Sequence, residues 1–251
     1  MRGNRKRAKL MLLKAGEASS SIRLAHGDYH RWFAEALQGA PVDWLVFDAH
    51  AGQSLPSDAM AFDAMVITGS PLSLVEPSEW MRRAADYVRE AAEKGLAILG
   101  VCFGHQLLGF AYGSAVIRNP RGREIGSVEI SLTEQGRRDP LFDGMPETFA
   151  AQATHEDIVS TAPPESIVLA GNANTANQAM AIGGNVRGVQ FHPELRAEAL
   201  GTLIRSRAEK LDGEGRLRGL AAGEAVPALL RGIRPAPLGQ KVLLNFIEHF
   251  I

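Results

Sequence analysis

The chain has 251 residues, 45% of them apolar, with 27 Lys and Arg against 28 Asp and Glu and a formal charge of −1. This length and apolar content suffice for a buried core and exclude disorder, and the balanced charge excludes global steering toward nucleic acid or an acidic membrane. A single cysteine cannot close an internal disulfide and rules out multi-cysteine zinc sites.

At the start, Arg2, Arg5, Lys6, Arg7 and Lys9 precede a short apolar run at 10–13. A signal peptide needs a longer apolar stretch and a small-residue cleavage site, so this segment reads as a solvated terminus before a first strand at 9–13. Asp28 is placed to cap a helix in which Tyr29, Trp32, Phe33, Ala36 and Leu37 share one face. Strands are predicted at 44–47 and 65–68. After a Gly-Ser-Pro turn, Trp80, Ala84, Tyr87, Val88 and Ala91 recur at helical spacing, and Gly95 stands where a C-terminal cap belongs. A strand at 96–99 then runs into Gly100-Val101-Cys102-Phe103-Gly104. Such alternation predicts an α/β fold, a mostly parallel sheet with helices on both faces.

Beyond about residue 115 the strand candidates are shorter, at 127–132, 148–152 and 167–169, and read as antiparallel additions. A strand at 186–191 and a helix over 194–211 follow. The stretch 212–237, rich in Gly, Arg and Ala, is undetermined. A closing helix over 238–251 carries an apolar stripe of Val242, Leu243, Phe246, Ile247 and Phe250, suited to docking on the body, with an oligomer contact as the alternative. No run approaches the roughly 18 to 20 apolar residues of a membrane span. A soluble cytoplasmic protein is expected, without membrane or nucleic-acid partners.

The pattern Gly-x-Cys-x-Gly at 100–104, after a strand and before a helix over 105–112, has the form of a nucleophile elbow. Its glycines permit a strained turn that lifts the Cys102 thiol clear of the sheet toward solvent. The first turn of the next helix offers unpaired N–H groups and a positive dipole end, suited to a thiolate and later to an oxyanion. Phe103 N–H is therefore one expected oxyanion donor, and Gly69 N–H, in Thr68-Gly69-Ser70-Pro71, the second. Of the seven histidines, His192 stands out, because it ends a strand and Pro193 holds the backbone extended. With a period of two, His192 and Glu194 point the same way, so a carboxylate can orient the imidazole as the third member of a triad does.

The segments Ile67-Thr68-Gly69-Ser70-Pro71, Gly100-Val101-Cys102-Phe103-Gly104-His105-Gln106, Asn119-Pro120-Arg121-Gly122-Arg123-Glu124-Ile125-Gly126, Thr154-His155-Glu156-Asp157-Ile158-Val159 and Gln190-Phe191-His192-Pro193-Glu194 occur in this order. On them the chain resembles the class I glutamine amidotransferases, specifically stand-alone members similar to the glutaminase half of GMP synthase, and also γ-glutamyl peptidases. The resemblance implies a flavodoxin-like domain occupying 1–251, with a catalytic core at about 9–210 and a C-terminal extension at 211–251. It further implies a glutamyl-thioester mechanism with Cys102 as nucleophile, His192 as general base and acid, and Glu194 as its orienter. Gln106 and the Gly69–Ser70 backbone would line the substrate pocket, with His155 in the pocket wall or in a structural role. His105 would pack beside the elbow, and neither a metal nor a cofactor is implied.

Amidotransferases of this class pass ammonia to a synthetase domain. This sequence has no Gly-x-x-x-x-Gly-Lys-Ser/Thr phosphate loop and no second domain large enough for ATP, so an acceptor would be a separate chain. Three functions stay open: a glutaminase acting on free glutamine, a hydrolase or transferase of γ-glutamyl peptides or conjugates, and a non-catalytic regulatory subunit keeping the fold. An α/β-hydrolase would place its acid between Cys and His in chain order, where Asp157 stands. The adjacent His-Pro-Glu makes that arrangement unnecessary.

Overall fold

The computed structural model of the chain describes residues 7–213 and 223–251. The first half alternates β1 (Ala8–Lys14), α1 (Ser20–His26), α2 (Tyr29–Ala36), β2 (Val42–Asp48), β3 (Ala64–Ile67), α3 (Glu79–Glu93), β4 (Ala97–Val101) and α4 (Phe103–Ala111). The second half contributes β5 (Val116–Arg118), β6 (Glu124–Leu132), β7 (Thr148–His155), β8 (Asp157–Val159), β9 (Ser166–Gly171), β10 (Ala179–Ile182), β11 (Val186–Val189), α5 (Ala197–Ser206), α6 (Ala208–Gly213), α7 (Ala225–Arg231) and α8 (Pro237–Phe250).

Nine strands form one sheet in the order β2-β1-β3-β4-β11-β10-β9-β6-β7, and β5 pairs with β8 apart from it. Strands β2 through β11 in that order are parallel, and β10, β9, β6 and β7 add on antiparallel. The parallel part has the strand order of flavodoxin-like sheets, in which ligands bind beyond the carboxyl ends of the strands. Cys102 follows β4 and Gly69 follows β3 at that edge.

The apolar runs of β1, β3 and β4 are continuous because these inner parallel strands are buried on both faces. In β1, Leu10 and Leu12 join Phe33, Leu37, Val66 and Leu99 on one side. Met11 and Leu13 join Met65, Ile67, Val88, Ile98 and Phe103 on the other. Helix α3 buries Met81, Ala84, Val88 and Ala91 and stops at Gly95, whose φ of 93° suits glycine alone. A third cluster joins Ile22, Tyr29 and Trp32 to Leu200, Leu203 and Leu229. Among the described residues no helix is long and apolar enough to cross a membrane.

Several boundaries differ from the sequence reading. Asp28 precedes α2, but its side chain makes no cap hydrogen bond; it accepts instead from Ala18 N–H and pairs with the buried Lys14 ammonium at 2.9 Å. The helix expected over 194–211 is two helices. Its first three residues are not helical, because Leu195 N–H turns back to the His192 carbonyl, and the chain breaks again at Arg207, between α5 and α6. Strand β10 lacks a sequence signal because its Ala-Met-Ala-Ile run has little intrinsic β preference; neighbours on both sides hold it in the sheet. The basic residues Arg2, Arg5 and Lys6 and residues 214–222 of the undetermined stretch lie outside the described residues.

The C-terminal stripe docks on the body. Val242, Leu243 and Phe246 are buried in the same cluster as Phe142, Phe149 and Phe191, with Ile247 and Phe250 packed against it. Gly239 lets α8 approach β7 closely, since a Cβ there would already touch Ala150 and Ala151 at 3.4 Å. Asn245 ties the helix down by donating to the carbonyls of Leu141 and Asp143. Phe246→Ala should therefore cost about 3–5 kcal/mol, read as a lower urea midpoint at unchanged slope. Leu244→Ala, on the exposed side of the same helix, should stay within about 0.5 kcal/mol of the parent.

Candidate active site

The elbow is built by close packing as much as by strain. A Cβ on Gly100 would lie 2.5 Å from the Gly104 carbonyl carbon, and one on Gly104 2.6 Å from the Ile67 carbonyl oxygen. Both glycines thus allow the first turn of α4 to sit directly on β3 and β4. The left-handed backbone falls on Cys102 itself, with φ 52° and ψ −100°, the one non-glycine residue of positive φ among the described residues. Such a conformation costs on the order of 1–3 kcal/mol and clusters at functional sites. Cys102 N–H donates to the Val189 carbonyl at 2.8 Å, and the Cys102 carbonyl accepts from Gln106 N–H at 3.0 Å. Contrary to the expectation that the thiol faces solvent, Cys102 is 5% exposed. It forms part of the wall of a cleft instead.

Strand β11 lies beside β4, so the segment leaving it passes next to the elbow. His192 N–H bonds to the Gln152 carbonyl at 2.8 Å, and its Nδ1 meets Glu194 Oε1 at 2.7 Å. The pair forms through the tight turn after His192, not through the strand periodicity used to find it. Both side chains are buried. Gly69 is wedged against the site: a Cβ there would lie 2.8 Å from His192 Cε1 and 3.7 Å from Cys102 Cβ. Burial alone would lower the His192 pKa, but the Glu194 carboxylate, followed by the Cys102 sulfur, raises it to about 10. Among the described residues, neither Gly69 N–H nor Phe103 N–H meets a backbone acceptor.

The cleft, about 290 Å³, is lined by Ser70, Cys102, Gln106 and His155, and also by Asp157, Arg118, Arg207 and Lys210. Ser70 Oγ accepts from Leu72 N–H at 3.1 Å. Gln106 Nε2 donates to the Asp157 carbonyl at 2.8 Å. His155 is buried and bonds through Nε2 to Glu124 at 2.9 Å and through Nδ1 to the Asp157 carbonyl at 3.2 Å, so it combines a structural role with a place in the wall. Glu124 also accepts from Asn172 and Gln178; burial would raise its pKa, and these hydrogen bonds, led by that from His155, hold it below the ordinary carboxylate value. Asp157 does not approach His192 as a hydrolase acid would: its carboxylate takes Ser73 Oγ at 2.6 Å and Arg118 at 3.2 Å. The sequence reading missed the cationic residues of the cleft, because no local spacing links β5, the start of β6 and the α5–α6 junction.

His105 packs beside the elbow as expected, its Nδ1 only 2.7 Å from where a Gly188 Cβ would stand. It is fully buried, and burial depresses its pKa to about 3, so it is neutral. Among the described residues one carboxylate–histidine set could hold a metal ion, Glu17, Asp48 and His50, and the Lys14 ammonium already pairs with both of its carboxylates.

Comparison with known proteins agrees with this architecture. The sequence profile of glutamine amidotransferase class-I matches residues 26–208, and the chain belongs to the class I glutamine amidotransferase family. It is 32% identical to the glutamine amidotransferase-like protein YfeJ of Salmonella typhimurium over 76% of this chain and 80% of that one. It is 34% identical to the GMP synthase of Aeropyrum pernix over 58% of this chain, though it spans only 26% of that longer protein. To gamma-glutamyl peptidase 4 of Arabidopsis thaliana it is 23% identical over 96% of both chains. The crystal structure of a glutamine amidotransferase from Thermotoga maritima shares the fold, with a TM-score of 0.73 at 17% identity over 96% of both chains. Members of this family are amidotransferases or amide hydrolases, and this chain carries the fold of such an enzyme.

The neutral His105 gives a pH test. Because its folded pKa lies below the unfolded value near 6.5, the unfolded chain binds the extra proton between about pH 6.5 and 3, and folding stability falls as pH drops through that window. In its lower part the loss approaches about 1.4 kcal/mol per pH unit. Urea titrations from pH 7 to 4 should show a shallower decline by that one proton in His105→Asn, whatever the variant's stability at pH 7.

Proposed function

We propose that this chain is a cysteine amidase acting at a γ-glutamyl carbonyl. Cys102 is the nucleophile, His192 the general acid and base, and Glu194 the group that orients and charges the imidazole. Residues 9–210 form the catalytic core, and α8 supports it from the side of β7. The observation that carries the reading is the convergence at Gly69, where the strained Cys102 and the His192 ring flank one glycine while Glu194 holds the far nitrogen of the ring.

The Cys102 thiolate attacks the γ-carbonyl carbon. The oxyanion is received by the N–H groups of Gly69 and Phe103, each worth roughly 3–4 kcal/mol of barrier. His192 Nε2, buried and without a hydrogen-bond partner among the described residues, delivers a proton to the departing nitrogen, and the C–N bond breaks to leave a γ-glutamyl thioester. Water that has lost a proton to the same nitrogen then releases glutamate and restores the thiolate–imidazolium pair. The Asp157 carboxylate and the cleft arginines match the ammonium and carboxylate of the substrate's α-carbon.

With free glutamine the leaving group is ammonia, and the use of that ammonia by a separate acceptor chain follows. A second reading, γ-glutamyl conjugates, is favoured by the similarity to gamma-glutamyl peptidase 4 over 96% of both chains. A non-catalytic regulatory role would leave the strain at Cys102 without a use.

Glutamate release from glutamine and from γ-glutamyl peptides, by the parent and by Cys102→Ala, tests the reading; equal release by both proteins, or by neither with or without partner chains, would sink it. Gly69→Ala, which drives a methyl into His192 and disturbs the oxyanion site, should lower kcat by about 10²–10³. Because His192 stays protonated to about pH 10, the alkaline limb of kcat/KM should lie well above pH 7. Glu194→Gln removes the largest charge that raises this pKa, so the limb should move to lower pH while kcat falls by up to about 10⁴. An unmoved limb would show that Glu194 does not set the charge of His192.

A further inference from the structure

Thr68, the residue after β3, is fully buried, and its hydroxyl is committed on both sides. Oγ1 accepts from Ala15 N–H at 3.0 Å and donates to the Gly69 carbonyl at 2.9 Å. The direction of both bonds is fixed: an N–H can only donate, so the single hydroxyl proton is left for the carbonyl. The second bond closes a ring that runs through Thr68 Cβ, Cα and carbonyl carbon and then Gly69 N, Cα and carbonyl carbon. The planar peptide joining the two residues lies inside this ring, so it cannot turn without breaking the bond. Glycine would otherwise leave that peptide unusually free to rotate. The next residues of the turn are also blocked, since a Cβ on Gly16 would lie 2.5 Å from Ser70 Oγ and 2.9 Å from Pro71 Cδ. The group so held is the N–H of the glycine wedged between His192 and Cys102, and among the described residues it meets no backbone acceptor.

We propose that Thr68 is a positioning residue for the reaction: its hydroxyl locks the Thr68–Gly69 peptide, so that Gly69 N–H stands as an oxyanion donor before substrate arrives. The proposal rests on the amidase reading given above. A donor aimed in advance at the developing charge needs no reorganisation when the carbonyl is attacked, which is where such donors act on rate. The backbone of Thr68 already continues the pairing of β3 with β1, through its N–H to the Leu13 carbonyl at 3.1 Å. The hydroxyl therefore acts on the turn beyond the strand, and its loss should be felt in the transition state more than in substrate binding.

The test measures kcat and KM for glutamate release from glutamine and γ-glutamyl peptides by the parent, Thr68→Val and Thr68→Ser, alongside the rate at which iodoacetamide alkylates Cys102. Thr68→Val, close in shape but without the hydroxyl, should lower kcat by about 10- to 100-fold, approaching the loss of a whole oxyanion donor, with KM changed by less than about threefold. Thr68→Ser restores the hydroxyl and should recover most of kcat. Alkylation forms no oxyanion, so its rate should match the parent in all variants. Thr68→Ala, which sets no methyl against Ala15 N–H, carries the same expectation and serves if the valine variant does not fold. Unchanged kcat without the hydroxyl, an equal loss in Thr68→Ser, or alkylation slowed by the same factor as kcat overturns the role of Thr68 alone. A parent that releases glutamate from none of these substrates, with or without partner chains, overturns the amidase reading, and this role with it.

Discussion

The left-handed backbone at Cys102 is the constraint on which the rest of the site depends. A non-glycine residue persists there only because its surroundings leave no alternative. The residue's N–H is held by the neighbouring strand and its carbonyl by the first turn of α4. The glycines on either side are needed less for their own torsions than for contact, since neither Gly100 nor Gly104 has a positive φ. They allow a buried helix to sit on two strands with backbone against backbone. The strain thereby aims the Cβ of Cys102 at Gly69 and His192, and the helix presents its unpaired first N–H beside the sulfur.

Around this point the charges are arranged in two tiers. Close to the sulfur, Glu194 and His192 form a buried pair that keeps the ring charged despite burial. A buried pair of this kind contributes little net stability. One layer away, Glu124 gathers His155, Asn172 and Gln178, and His155 in turn reaches the Asp157 carbonyl that Gln106 also holds. Buried hydrogen bonds of this kind fix the positions of the groups they join. It connects the antiparallel half of the sheet to the elbow helix, so the added strands are part of the cleft's support.

Residues beyond β11 close the cleft. Arg207 sits at the break between α5 and α6 and Lys210 one turn later; both line the same cavity as Cys102. The end of the chain therefore contributes both packing, through α8 on β7, and charge, through the α5–α6 junction.

The local features were legible in the order of residues. Continuous apolar runs marked β1, β3 and β4, helical spacing marked α3 and α8, and Gly-x-Cys-x-Gly with His-x-Glu marked the residues that meet at the cleft. These signals are short-range, so a single sequence carries them. The Ala-rich β10 and the three-residue β5 and β8 had no such signal, because pairing with neighbours, not propensity, holds them. The burial of the Cys102 thiol, the Ser73 and Arg118 contacts of Asp157, and the gathering of Arg118, Arg123, Arg207 and Lys210 likewise depend on segments far apart in the chain. The sequence by itself supplied the candidates for the chemistry, because the proposed nucleophile, base and orienter are read from residue type and local spacing. Only the tertiary structure decided what surrounds them, because electrostatics and solvent access depend on distances through space.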